Sequence, residues 1–184
     1  MDCKELRRKV IKKYFSEMND MQFEAVTAVN GPVLVLAGAG SGKTTVLVNR
    51  IANLVKFGDG YNSDYSREFT GQEVKCGEDY INGATDYVPN GVFSVSPVNP
   101  WNILAITFTN KAAGELKERI SAKITDGGED IWAGTFHSVC GKILRRYADR
   151  LGFTSHFTIY DTDDQRRLMK EIMRAKNIDD KIFP

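Results

Sequence analysis

Cysteine is scarce and scattered: the chain holds three, Cys3, Cys76 and Cys140, an odd number at wide spacing. That argues against a disulfide framework and supplies no paired spacing for a zinc site, so a reducing cytoplasm is the expected location. Long apolar runs are missing too. The clearest, Val33 to Ala37, is far too short to span a bilayer, and the opening segment MDCKELRRKVIKKYF is dense in charge rather than built like an export signal or anchor. Nor is there an excess of charge of one sign, since 25 Lys and Arg against 24 Asp and Glu leave +1. Bulk electrostatics therefore cannot carry nucleic-acid binding, which has to come from local sites. What is present, 184 residues of which 42% are hydrophobic and 27% charged, is an ordinary globular composition. It suits one well-cored domain or part of a larger enzyme.

Residues 3 to 18 place Leu6, Val10, Ile11, Tyr14 and Phe15 at helical spacing, with Lys4, Arg7, Arg8, Lys12 and Lys13 largely on the other faces. Asn19 and Asp20 can cap a second helix that runs from Gln22 to Val29 and stops at Asn30-Gly31-Pro32. The β-branched apolar run Val33 to Ala37 reads as a parallel strand covered on both faces. A glycine-rich turn and a helix from about Lys43 to Phe57 follow it. Composition then shifts. Residues 58 to 100 hold six of the sixteen glycines, three of the five prolines, and seven acids against Arg67 and Lys75, a local charge of −5. The stretch reads as an exposed, irregular insertion with short strand-like alternations around 92 to 97. Its acidity suits a protein-docking surface better than a DNA contact. Strand and helix alternate again afterwards: Ile103 to Thr107 and Ile131 to Thr135 as strands, Lys111 to Thr125 and Ser138 to Leu151 as helices. Phe157 to Tyr160 reads as a short strand, and Thr162 to Ala175 as a helix. The pattern predicts an α/β fold, a parallel sheet flanked by helices, with no internal repeat.

The strongest chemical signal is Ala37-Gly38-Ala39-Gly40-Ser41-Gly42-Lys43-Thr44, followed by Thr45, set between an apolar strand and a helix. Glycines let the backbone wrap a phosphate with amides pointing inward, and the helix start adds its positive dipole end. Lys43 is expected on the β and γ phosphates of ATP and the Thr44 hydroxyl on Mg2+. Gln22, in a helix turn 21 residues before Lys43, carries an amide that both donates and accepts and so matches an adenine edge, although taken alone it reads as a solvated surface residue. Two further segments end a strand in hydroxyl, aromatic and amide or imidazole residues: Thr107-Phe108-Thr109-Asn110 and Thr135-Phe136-His137. At the carboxyl edge of a parallel sheet these residues can stack on bases and bond phosphates of single-stranded DNA. For Phe108 and Phe136, core packing is the competing reading, and His137 equally suits a buried hydrogen-bonding role.

Taken in order, these segments resemble the N-terminal part of the UvrD/Rep/PcrA group of superfamily 1 DNA helicases. Asn19 to Gln22 is similar to that family's Q motif, Ala37 to Thr44 to motif I, Thr107 to Ala113 to motif Ia, and Gly134 to Ser138 to motif Ib. FTIYDTDDQ, residues 157 to 165, is similar to the stretch that follows. The resemblance covers about residues 14 to 176 without the 58 to 100 excursion. It implies a RecA-like P-loop NTPase domain over 1 to 155, the start of an inserted helical subdomain over 156 to 184, and an ATP-driven motor moving 3' to 5' on single-stranded DNA. It further implies remaining helicase domains beyond Pro184 as partners.

A complete motor of this kind also needs an acidic pair after a hydrophobic strand, and an arginine from a second lobe. Phe157 to Asp161 imitates the first, but Thr162 stands where the catalytic Glu belongs. The chain therefore reads as an N-terminal fragment that binds nucleotide without efficient turnover. A complete small P-loop enzyme such as a nucleotide kinase is the alternative; it needs several lid arginines, where the excursion has only Arg67. A noncatalytic, nucleotide-gated DNA-binding module is a third reading.

Overall fold

Four consecutive residue pairs, Leu104 with Trp132 through Thr107 with Thr135, align two short parallel strands, β1 (Leu104–Thr107) and β2 (Trp132–Thr135). The computed structural model describes residues 2–178, and among these β1 and β2 form the whole sheet. Seven helices accompany it: α1 (Cys3–Tyr14), α2 (Asp20–Thr27), α3 (Lys43–Lys56), α4 (Gly71–Ile81), α5 (Asn110–Lys123), α6 (Phe136–Arg146) and α7 (Thr162–Ala175). The fold is thus mixed α/β, with a smaller sheet than the periodicity predicts. The chain divides between Val139 and Cys140 into two compact units, upstream of the subdomain boundary expected near residue 155.

Two apolar clusters build the first unit. One gathers Leu6, Val10, Ile11 and Phe15 around α1 with Val26, Phe57, Tyr80, Val88 and Phe93. The other joins Val48, Ile51 and Ala52 of α3 to Ala105 of β1, Ala133 of β2, and Leu116 and Ile120 of α5. Helix α3 serves both, since its Val46 lies in the first cluster. The helix that opens at the phosphate loop is therefore fixed from two sides.

The excursion is not the irregular loop that its composition predicts. Thr70 and Glu73 form a reciprocal capping box that starts α4. Gly77 of that helix lies so close to α1 that a Cβ there would stand 3.0 Å from both Leu6 and Phe93. Arg67 pairs with Glu73 at 2.8 Å, and Arg7, buried on α1, donates to the carbonyls of Gly60 (2.6 Å) and Ser63 (3.0 Å). The guanidinium of Arg67, with the backbone amide and the hydroxyl of Thr70, holds the Glu73 carboxyl down to about 2. The strand-like alternation near 95 yields only a single bridge, between Gly58 and Val95.

Two expected strands do not form. Residues 33–37 pair with no described residue, and Leu34 and Leu36 are 83% and 88% exposed. A strand of this kind needs a hydrogen-bonded neighbour to hold it extended, and no described residue supplies one. Residues 157–160 likewise lie outside any sheet. In the second unit α7 is capped by Asp161, whose carboxylate accepts the amides of Asp163 and Asp164 at 2.8 Å. That helix has no buried residue. The expected helix from Ser138 to Leu151 is α6 followed by a separate 3-10 turn, Ala148–Leu151. The subdomain expected over 156–184 extends in part outside the described residues.

Candidate nucleotide site and nucleic-acid edge

The Ala37 to Thr45 segment is shaped by positions that only glycine adopts readily. Gly40 and Gly42 have φ of 76° and 80°, in the left-handed region, and Gly42 is the N-cap of α3. As a glycine it has no side chain to accept the first-turn amides of the helix. Those donors, near the positive end of the dipole, face outward with Lys43, Thr44 and Thr45 exposed. The arrangement fits an anion: phosphate oxygens are the acceptors that the missing cap would otherwise supply.

Side chains fold onto the loop from both ends. The Lys43 ammonium donates to the carbonyls of Gly38 (2.6 Å) and Ala37 (3.3 Å), and the Ser41 hydroxyl donates to Gly38 at 2.8 Å. Asn19 and Gln22 form a reciprocal capping box at the start of α2, so the Gln22 side chain is held in that first turn. Its amide nitrogen donates to the carbonyl of Ser41 at 3.2 Å. The geometry brings Gln22 into contact with the loop. A cavity of about 610 Å³ opens here, lined by Asn19, Gln22, Lys43, Val46 and the aliphatic side chains of residues 33 to 36.

The second set of residues collects at the carboxyl ends of β1 and β2, which the parallel register brings side by side. Core packing does not describe Phe108, which is 98% exposed, or Phe136, which is 58% exposed. His137 is exposed as well, and Asn110 opens α5. The two threonine hydroxyls nearest them have local tasks. Thr109 accepts the Ala112 amide as the cap of α5, and buried Thr135 accepts the Ser138 amide at the start of α6, each at 3.2 Å. Thr107 ends β1 half-buried. The aromatics therefore project from turns whose backbone is fixed by their own neighbours. No cluster of three or more His, Cys, Asp or Glu with metal-binding potential occurs among the described residues.

Comparison with known proteins meets this geometry. The profile of the UvrD/REP helicase N-terminal domain matches residues 18–64 and 92–184. The chain belongs to the UvrD/REP helicase family. Similar proteins include the ATP-dependent DNA helicase PcrA of Bacillus subtilis, 40% identical over 174 residues, which is 95% of this chain and 18% of that protein. PcrA of Staphylococcus aureus strain Mu50 is 42% identical over 168 residues, or 91% of this chain and 18% of the relative. The chain thus spans less than a fifth of the length of these relatives. The profile passes over residues 65–91, the part of the excursion that contains α4.

Three residues near the site escaped the sequence reading. Arg50 and Asn53 on α3 and Asn62 in the turn after it donate to three successive carbonyls at the end of α2. The available signal was Asn53, a polar residue within the apolar stretch Ile51 to Val55, where a side chain that is 1% exposed must have a partner.

Proposed function

We propose that this chain is the nucleotide-binding N-terminal part of a DNA helicase motor, in which ATP hydrolysis drives 3' to 5' movement along single-stranded DNA. The observation that carries the reading is the loop into α3, a helix start with no capping side chain, flanked by the Lys43 ammonium and the Gln22 amide. In this reading Lys43 exchanges the Gly38 carbonyl for the β and γ phosphates of ATP, the amides from Gly38 to Thr45 surround them, and Gln22 bonds the adenine edge. The Thr44 hydroxyl would hold Mg2+, which would supply charge neutralisation to the phosphates. Phe108 and Phe136 stack on bases, with Asn110 and His137 beside them and Thr107, Thr109 and Thr135 setting the turns. The relatives named as ATP-dependent DNA helicases support ATP and DNA as the ligands.

Turnover by this chain alone is expected to be slow. The one carboxylate that imitates a catalytic acid, Asp161, serves as the cap of α7. A nucleotide kinase is the weaker reading, because Arg67, which would have to act as its lid clamp, is paired with Glu73. A fluorescent ATP analogue titrated in Mg2+ against wild type and Lys43→Ala tests the proposal. Removing a cation from the phosphates should cost about 1.5 to 3 kcal/mol, roughly 10- to 150-fold in affinity. Equal affinities would overturn it.

A further inference from the structure

The last carbonyls of a helix have no partner within it, and an unfilled end is free to fray. At the end of α2 three of them are taken by side chains. Arg50 Nη1 donates to Ala25 at 2.6 Å, Asn53 Nδ2 to Val26 at 3.3 Å, and Asn62 Nδ2 to Thr27 at 2.8 Å. Beyond them, Asn30 donates to the carboxylate of Asp59 at 2.9 Å. Two of the three donors stand on α3, the helix that begins at Lys43 and Thr44, and α2 is the helix whose first turn carries Gln22. The clamp therefore joins the element that carries the adenine-matching amide to the element that carries the phosphate loop.

From this arrangement we infer that Arg50, Asn53 and Asn62 are positioning residues for nucleotide, fixing the distance between the base-reading turn and the phosphate loop. The inference rests on the nucleotide reading above. Without the clamp, Gln22 would keep its capping box with Asn19 and Lys43 its place in the loop, yet the two ends of the site would no longer be held in one register. The clamp is itself anchored from outside. Asn53 also donates to Gly58 at 3.2 Å, and Arg7 and Arg8 of α1 donate to Gly60, Ser63 and Tyr61 in the turn that carries Asn62. The α1 lobe, built in part from the excursion, thereby reaches the nucleotide site through that turn.

A loss of register weakens a ligand that touches both ends of the site and spares one that touches only the loop. The test measures binding of a nonhydrolysable ATP analogue and of inorganic tripolyphosphate, both in Mg2+, to wild type, Asn62→Ala, Arg50→Met and Arg50→Lys, with melting temperatures to establish folding. Asn62→Ala and Arg50→Met should weaken the ATP analogue about three- to tenfold each and leave tripolyphosphate within about twofold. Arg50→Lys, which keeps a donor, should recover most of the loss. Unchanged binding of the analogue by both folded variants would overturn the inference alone. Equal losses for the two probes would also overturn it, showing a general structural role. Wild type that bound neither probe would overturn the nucleotide reading and this inference with it.

Discussion

The lobe around α1 and the ligand-facing edge of the same unit are built on opposite terms. In the lobe, Leu6, Val10, Ile11, Phe57 and Phe93 are all within 3% of full burial, and polar groups such as Arg7 are bonded to backbone carbonyls. At the edge, Phe108 and the aliphatics of residues 33 to 36 face outward, and the Gly42 cap leaves helix donors without a side-chain acceptor. Burial stabilises the first, whereas the second presents apolar and polar groups that a ligand would satisfy. Buried residues that hold the lobe and exposed residues of the proposed binding edge are thus different sets, joined through α3.

Deleting the part of the excursion that the family profile passes over probes this contrast most severely. Replacing residues 65 to 91 by a short Gly/Ser linker removes α4, Tyr80 and Val88 from the cluster around α1. Each large apolar deletion costs a few kcal/mol against a total stability of only about 5 to 15 kcal/mol, so cooperative melting near physiological temperature should be lost. A wild-type melting curve would show that the core around α1 does not depend on the excursion. On a smaller scale, Phe93→Ala should lower stability in urea by about 3 to 5 kcal/mol while the folded fraction binds nucleotide as before. Loss of nucleotide affinity in that folded fraction would blur the boundary between the regions.

Phe108→Ala should show the reverse pattern. Affinity for a single-stranded oligonucleotide falls by about 1 to 3 kcal/mol, with little dependence on sequence, and melting stays within about 0.5 kcal/mol of wild type. A fall in stability with unchanged affinity would move Phe108 into the core. The smallest expected effect is at Glu73. Its carboxyl titrates near about 2 in the folded chain, below its ordinary 4.5, because Arg67 and Thr70 bond the charged form. A depressed carboxyl stabilises the fold fully above its unfolded value and loses that contribution as pH falls through the folded one. The melting difference between wild type and Glu73→Gln should therefore shrink from about pH 5 to about pH 2, and a difference constant across that range would remove Glu73 from the cap.

Local signals in the sequence were enough for the helices that frame the candidate site. Asn19 with Gln22, the glycines at 40 and 42, and Thr109 before α5 each act within a few residues, and the structure has α2, α3 and α5 close to where those signals put them. Non-local partners decided the rest. Val33 to Ala37 and Leu104 to Thr107 are alike in apolar content, yet only the second finds a parallel neighbour. The α4 cap was present as Thr70 and Glu73 but masked by Gly71, Gly77 and a run of acids. Gly77 is explained only by how closely α1 approaches it. The fold of Arg50, Asn53 and Asn62 onto α2 has no counterpart in spacing, because its acceptors are backbone carbonyls.

Hydrogen exchange with and without an ATP analogue in Mg2+ tests the division between lobe and edge most directly. No backbone amide from Val33 to Gly40 donates to a described residue, whereas α1 and α4 carry helical bonds on a buried face. Exchange should be slow in α1 and α4 in both conditions, and fast across residues 33 to 40, slowing there on adding nucleotide, most strongly from Gly38 onward. Protection of that segment before nucleotide is added, or no change in it at saturating nucleotide, would contradict the account.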